Sequence, residues 1–123
     1  MSVITEGPHP GDFVIWEVLR DYTRESLTLA AGAGKLQAGT VLGKITASGK
    51  YTPLSPSATN GAQNAVAVLW GPAAATDTDA PCTALVRGPA TLKRAGLILP
   101  SGITEAQAAA AHSALAALGL ISR

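Results

Sequence analysis

Two histidines, one cysteine and eight carboxylates are the side chains with the most chemistry to offer in this 123-residue sequence. Nucleophilic catalysis needs a base within hydrogen-bond reach of a hydroxyl or thiol, and His9 and His112 are the candidates. His9 stands between Pro8 and Pro10, while His112 belongs to the polar side of a late helical pattern. No serine occupies a G-x-S-x-G turn. Base, nucleophile and oxyanion donors do not assemble, so the sequence points away from an enzyme. Cys82 is alone, which excludes an intrachain disulfide and a thiol pair, and with two distant histidines it cannot close a tetrahedral zinc site. Its neighbours Thr83, Ala84 and Leu85 favour a buried strand position over a reactive thiol. The one close carboxylate pair, Asp77 and Asp79, lacks the further oxygen ligands of a calcium loop and reads as part of a solvated loop. No metal and no cofactor are expected.

Phosphate binding fares no better. Gly39-Thr40-Val41-Leu42-Gly43-Lys44 is one residue short of G-x-x-x-x-G-K-[ST] and is followed by Ile45 where a magnesium-binding hydroxyl belongs; Gly43 to Lys50 is one residue too long. Neither precedes a helix whose N-terminus could hold phosphate. A net charge of +1 is far from the clustered basicity that neutralises many phosphates, so nucleic acid is not an expected direct partner. The opening MSVITEGPHP has no basic n-region followed by an apolar h-region, and no run of about 18 apolar residues occurs, so the expectation is cytoplasmic synthesis without a membrane span.

The elements around these side chains read as mainly β. Phe13 to Val18 (FVIWEV) is rich in β-branched and aromatic residues. Ser26 to Leu29 alternates apolar with hydroxyl side chains, as a strand with one wet face does. The following AAGAGKLQAG reads as a turn. Thr40 to Ile45 resumes the strand pattern with Gly43 inside it, which signals a bulge or a close backbone approach. A short strand at Tyr51 to Leu54 sits within a turn-rich stretch, and Asn64 to Trp70 (NAVAVLW) is the strongest strand signal. GPAAATDTDAP reads as a loop between Pro72 and Pro81. Cys82 to Gly88 and the ATL at Ala90 are further strands. Trp16 and Trp70, in apolar strands, read as core anchors, with a binding platform as the other reading.

Past Pro100 the period changes. Thr104 followed by Gln107 is a capping-box pair, Glu105 complements the helix dipole, and Ala108, Ala111, Leu115 and Leu118 form one stripe that ends at Gly119. Composition is 47% apolar and 14% charged, dominated by small residues, so each buried side chain removes little surface and burial through self-association is expected. The chain divides into an arm, residues 1–12, and a single domain, residues 13–123. Pro8 and Pro10 favour an extended arm, in which Val3, Ile4 and Thr5 are suited to joining another protein's sheet edge. A frayed terminus is the alternative.

Taken in order, AGTVLGKIT from Ala38, SGKYTPLSPSATNGAQNAVAVLWGP from Ser48, PCTALVRGPATL from Pro81 and the closing helix with its GLI resemble the head decoration protein family of lambda-like tailed phages. The resemblance runs from about Thr5 to Ile121. The fold it implies is mainly β, a small barrel-like domain of β-clip or β-tulip kind with one C-terminal α-helix and long loops. It also implies a homotrimer that binds the major capsid protein on the outer surface of the expanded head, at local three-fold sites, and stabilises the head against DNA pressure. The residues matching the family's capsid-binding arm are Ser2, Val3, Ile4, Thr5, Glu6, Gly7, Pro8, His9 and Pro10. The short, nearly uncharged arm and Ala-rich helix depart from the best-known members. A competing expectation is a small biotinyl or lipoyl-like carrier module, whose strand-and-turn grammar AGTVLGKI shares. Its candidate lysines, Lys35, Lys44 and Lys50, lack the Met or acidic flanks of a modification site.

Overall fold

The computed structural model describes residues 13–17 and 23–123. Its centre is a closed five-stranded barrel of β2 (Arg24–Leu29), β5 (Tyr51–Pro53), β4 (Val41–Lys44), β6 (Ala67–Leu69) and β8 (Ala80–Leu85), adjacent in that order. The longest ladder is antiparallel β2–β8, from Arg24 opposite Leu85 to Leu29 opposite Ala80. The barrel closes through a parallel pairing at Leu29 and Tyr51, where the Ala30 N–H donates to the Tyr51 carbonyl at 2.7 Å. Closure leaves these strands without free edges.

A second, three-stranded sheet flanks the barrel. β9 (Ala90–Leu92) lies at its centre, with β1 (Val14–Glu17) antiparallel on one side and β10 (Leu120–Ser122) parallel on the other. α1 (Glu105–Ala117) leads into β10. Both capping-box bonds form, Gln107 N–H to Thr104 Oγ1 and Thr104 N–H to Gln107 Oε1, each 3.1 Å. The helix ends as its glycine requires, with Gly119 at φ +89°. Ala111 and Leu115 turn into a core with Phe13, Val68, Leu92 and Leu120, which joins the flank sheet, the helix and one side of the barrel. A second core holds Leu29, Leu42, Leu69 and Ala84.

Several expectations change. AAGAGKLQAG contains β3 (Gly34–Leu36) and GPAAATDTDAP contains β7 (Ala73–Ala75), and these pair with each other as an antiparallel ribbon. Glycine and alanine carry almost no strand signal of their own, so these elements exist through their partners. NAVAVLW shortens to Ala67–Leu69 within a twisted barrel. The GLI segment after the helix, given no strand of its own in the sequence, supplies Leu120 and Ile121 to β10. Leu118 leaves the apolar stripe because it caps the helix where the chain reverses, and it is exposed. Gly43 is a close approach: a Cβ there would lie 2.4 Å from the Ala62 carbonyl oxygen.

Candidate attachment surface

Among the described residues the histidine, the cysteine and the carboxylates do not gather into one cluster. Cys82 is buried on β8, and desolvation raises its thiol pKa, keeping it protonated and inert. The Lys50 ammonium lies 2.5 Å from Asp79 Oδ2, while Asp79 Oδ1 accepts the Ala31 N–H at 2.9 Å. The Lys50 contact first, and that backbone bond second, hold the Asp79 carboxyl below its ordinary pKa. Lys44 lies over the Tyr51 ring, 5.8 Å from its centroid. Burial, with Glu25 and Cys82 adding, raises the Tyr51 phenol. Two of the three lysines of the carrier reading are therefore engaged in local contacts. A cleft of about 290 Å³ bordered by Leu36, Val41, Leu54, Ile98 and Pro100 has Lys35 as its one charged lining residue. Among the described residues no three His, Cys, Asp or Glu side chains gather to hold a metal ion, and no helix is long and apolar enough to cross a membrane.

His112 is half-buried between α1 and β10, with Nδ1 3.1 Å from Ser122 Oγ, which also accepts from Arg94 Nε at 3.3 Å. Desolvation first and the Arg94 charge second lower its pKa. The unfolded chain therefore binds this proton more readily than the folded one, so the histidine's contribution is intact above its unfolded pKa and is lost progressively as pH falls from there through the lower folded pKa. Thermal melts from pH 7.5 down to pH 5.5 should show a falling Tm, and His112→Gln should flatten that dependence. An identical pH profile in the variant would contradict the assignment.

A polar node ties the flank sheet to the barrel. The Glu17 carboxylate accepts from Thr23 Oγ1 at 2.5 Å and pairs with the Arg24 guanidinium, which lies 4.5 Å from the centroid of the Trp70 ring. Trp70 is thus half-buried beneath a cation. Trp16 is not a core anchor: it is 54% exposed. The register explains why. β1 carries a bulge between Val14 and Trp16, which sets Trp16 opposite Thr91, and Thr91 in turn lies opposite Ile121. Directly opposed residues share a face, and the residues of the alternate rows, Ala90, Leu92 and Leu120, are buried. The outward face therefore carries the row Trp16, Thr91, Ile121, with Ile121 40% exposed and the bulged Ile15 53% exposed beside it. An irregular FVIWEV, without clean alternation, was the available sign that this strand does not bury both tryptophan faces.

The expected arm, Ser2 to Pro10, lies outside the described residues. It is joined by Gly11 and Asp12 to Phe13, whose carbonyl accepts the Lys93 N–H at 2.6 Å at the start of the flank sheet.

The described fold is thus a closed barrel with a flanking sheet that leaves Trp16 and Ile121 exposed, and three of its acidic side chains, Glu17, Glu25 and Asp79, are held in separate ion pairs. The family model described as bacteriophage lambda head decoration protein D matches residues 3–120, and the chain belongs to that family. Membership makes it a structural protein of the bacteriophage head, associated with the capsid of the virion. No curated protein matches the chain.

Proposed function

We propose that this chain is made in the host cytoplasm, trimerises, and binds the outside of the expanded phage head at local three-fold sites. There it links neighbouring capsomers of the major capsid protein and opposes the pressure of packaged DNA. The match to the decoration family across residues 3–120 carries the reading. The arm, residues 1–12, is the attaching segment, and residues 13–123 are the domain that presents it, with Ser2 to Pro10 in contact with the capsid.

The physical logic is that of multivalent binding. A Pro-interrupted segment that orders on binding has weak affinity by itself. Three such segments on one trimer act together, and linkage strengthens binding by about 10²–10⁴-fold when the sites match the spacing. A head that has not expanded presents its sites at the wrong separation. Co-sedimentation with expanded and unexpanded heads tests the proposal, as developed below.

A further inference from the structure

We propose that the cleft bordered by Leu36, Val41, Leu54, Ile98 and Pro100 is a seat for the chain's own arm, which rests there with Ile4 inward and Glu6 on Lys35 until a phage head competes for it. The seat itself stands apart from the decoration reading, and its consequence for head binding rests on that reading. The cleft encloses about 290 Å³, and its lining is aliphatic or proline apart from Lys35, Gln37 and Thr40. Val41 and Leu54 are its buried part, while Ile98 is 38% exposed. Its walls are held by the protein's own bonds. The Ile98 N–H donates to the Gly39 carbonyl at 2.8 Å, the Val41 N–H to the Ile98 carbonyl at 3.1 Å, and Thr40 Oγ1 to the Gln37 carbonyl at 2.7 Å. A preformed apolar hollow with few polar groups has the build of a binding site.

The lining selects an occupant that is aliphatic with a single acid close by. Lys35 is its one charged residue, is exposed, and makes no ion pair among the described residues. The arm carries that pattern in Val3-Ile4-Thr5-Glu6. In an extended chain, side chains two residues apart share a side and lie about 7 Å from each other. Ile4 in the apolar part therefore sets Glu6 toward the lysine. The arm's other acid, Asp12, directly precedes Phe13 and has no such partner two residues before it, since that residue is Pro10.

Position favours the chain's own arm over any other occupant. Phe13, where the arm joins the domain, packs in the same core as Val41 and Leu54. Its Cδ1 lies 3.7 Å from where a Cβ on Gly39 would stand, and Gly39 directly precedes Thr40 of the cleft wall. Glu6 and Ile4 precede Phe13 by seven and nine residues, a reach of about 25–30 Å at full extension. A tether this short holds the arm at an effective concentration in the millimolar range, so a weak contact suffices and dilute competitors are displaced. While seated, the β-favouring Val3-Ile4-Thr5 is kept from joining stray sheet edges. A head that takes the arm must first free it, and its apparent affinity falls with the fraction of arms that are free. Weakly held, the contact opens on heating before the domain melts and adds nothing to Tm.

The test is NMR relaxation of the isotope-labelled full-length protein without heads. The Ile4 and Glu6 amides should be nearly as ordered as those of the barrel, and should become freely mobile in Ile98→Ser and in Lys35→Glu. Both substitutions fall at exposed positions, so the domain stays folded. Adding Glu6→Lys to Lys35→Glu should restore the order. Amides as mobile in the parent as in Ile98→Ser would overturn the seat, and failure of the charge swap to restore order would overturn the Glu6–Lys35 contact. A fall in native mass for Ile98→Ser would make the cleft a contact between copies and overturn the arm as its occupant. With expanded, decoration-free heads, Ile98→Ser should bind about threefold more tightly than the parent, because its arms are free. Unchanged or weaker binding would overturn the competition. Failure of the parent to bind heads would remove the decoration reading and leave the seat to stand or fall on the relaxation result.

Discussion

A chain lacking Ser2 to Pro10 is expected to melt where the full-length protein melts and to lose binding to expanded heads. The two halves of this expectation have separate physical causes. Every buried core residue of the described fold lies at or after Phe13, which packs with Leu92, Leu115 and Leu120. Deletion of residues before Gly11 leaves every residue of the two described cores in the chain. Binding is different, because avidity multiplies arm contacts across three subunits. Without the arms that multiplication is lost, and an apparent affinity lower by about 10²-fold or more follows. Circular dichroism melts and co-sedimentation at matched concentrations measure both halves. A truncated protein that still saturates expanded heads would show that the domain alone attaches, and the arm assignment would be wrong.

Leu115→Ala is expected to lower stability by about 2–5 kcal/mol, as other buried leucines do when truncated. Leu115 is fully buried and is the point where α1 enters the core shared by the flank sheet and the barrel. The helix has little else with which to hold on. It is mostly alanine, and its other buried residue is Ala111. Because small side chains remove little apolar surface, the one large side chain carries a disproportionate part of the docking. For a domain of this size a loss of about 3 kcal/mol lowers Tm by roughly 10–15 °C. Urea or thermal unfolding reads it directly. A loss below about 1 kcal/mol would mean that the helix is held by something other than this core.

The contrast between that helix and the short strands shows what the sequence could convey. The helix was legible because its signals are local: Thr104 and Gln107 bond each other across one turn, and Gly119 adopts a backbone conformation that glycine favours. Gly43 was legible for a similar reason, since a glycine inside an apolar strand marks a neighbour too close for a side chain, and Ala62 is that neighbour. The barrel strands at Ser26, Thr40, Tyr51 and Cys82 showed β-branched or alternating patterns and appear close to where they were read. β3 and β7 did not, because a Gly-Lys-Leu and an Ala-Ala-Ala segment become strands through each other's hydrogen bonds, at long sequence separation. β10 was hidden for the same reason, as its parallel pairing with β9 is a tertiary fact.

The candidate surface was legible only in part. The order of soft motifs indicated the family, and the match across residues 3–120 bears that out. The exposed tryptophan was misread, since an aromatic in an apolar run looks like core until the register is known. A one-residue bulge in β1 decides the matter by setting Trp16 on the same outward row as Thr91 and Ile121. The Arg94–Ser122–His112 contact drew no notice either, because it depends on the helix and the last strand lying side by side.

The most direct measurement is the amount of purified protein retained by expanded, decoration-free heads as its concentration rises, set against the same titration with unexpanded heads and with native mass recorded on the free protein. Saturation at three chains for each local three-fold site, with little uptake by unexpanded heads, is the predicted result. Absence of saturable binding, or equal uptake by the two kinds of head, would contradict the account.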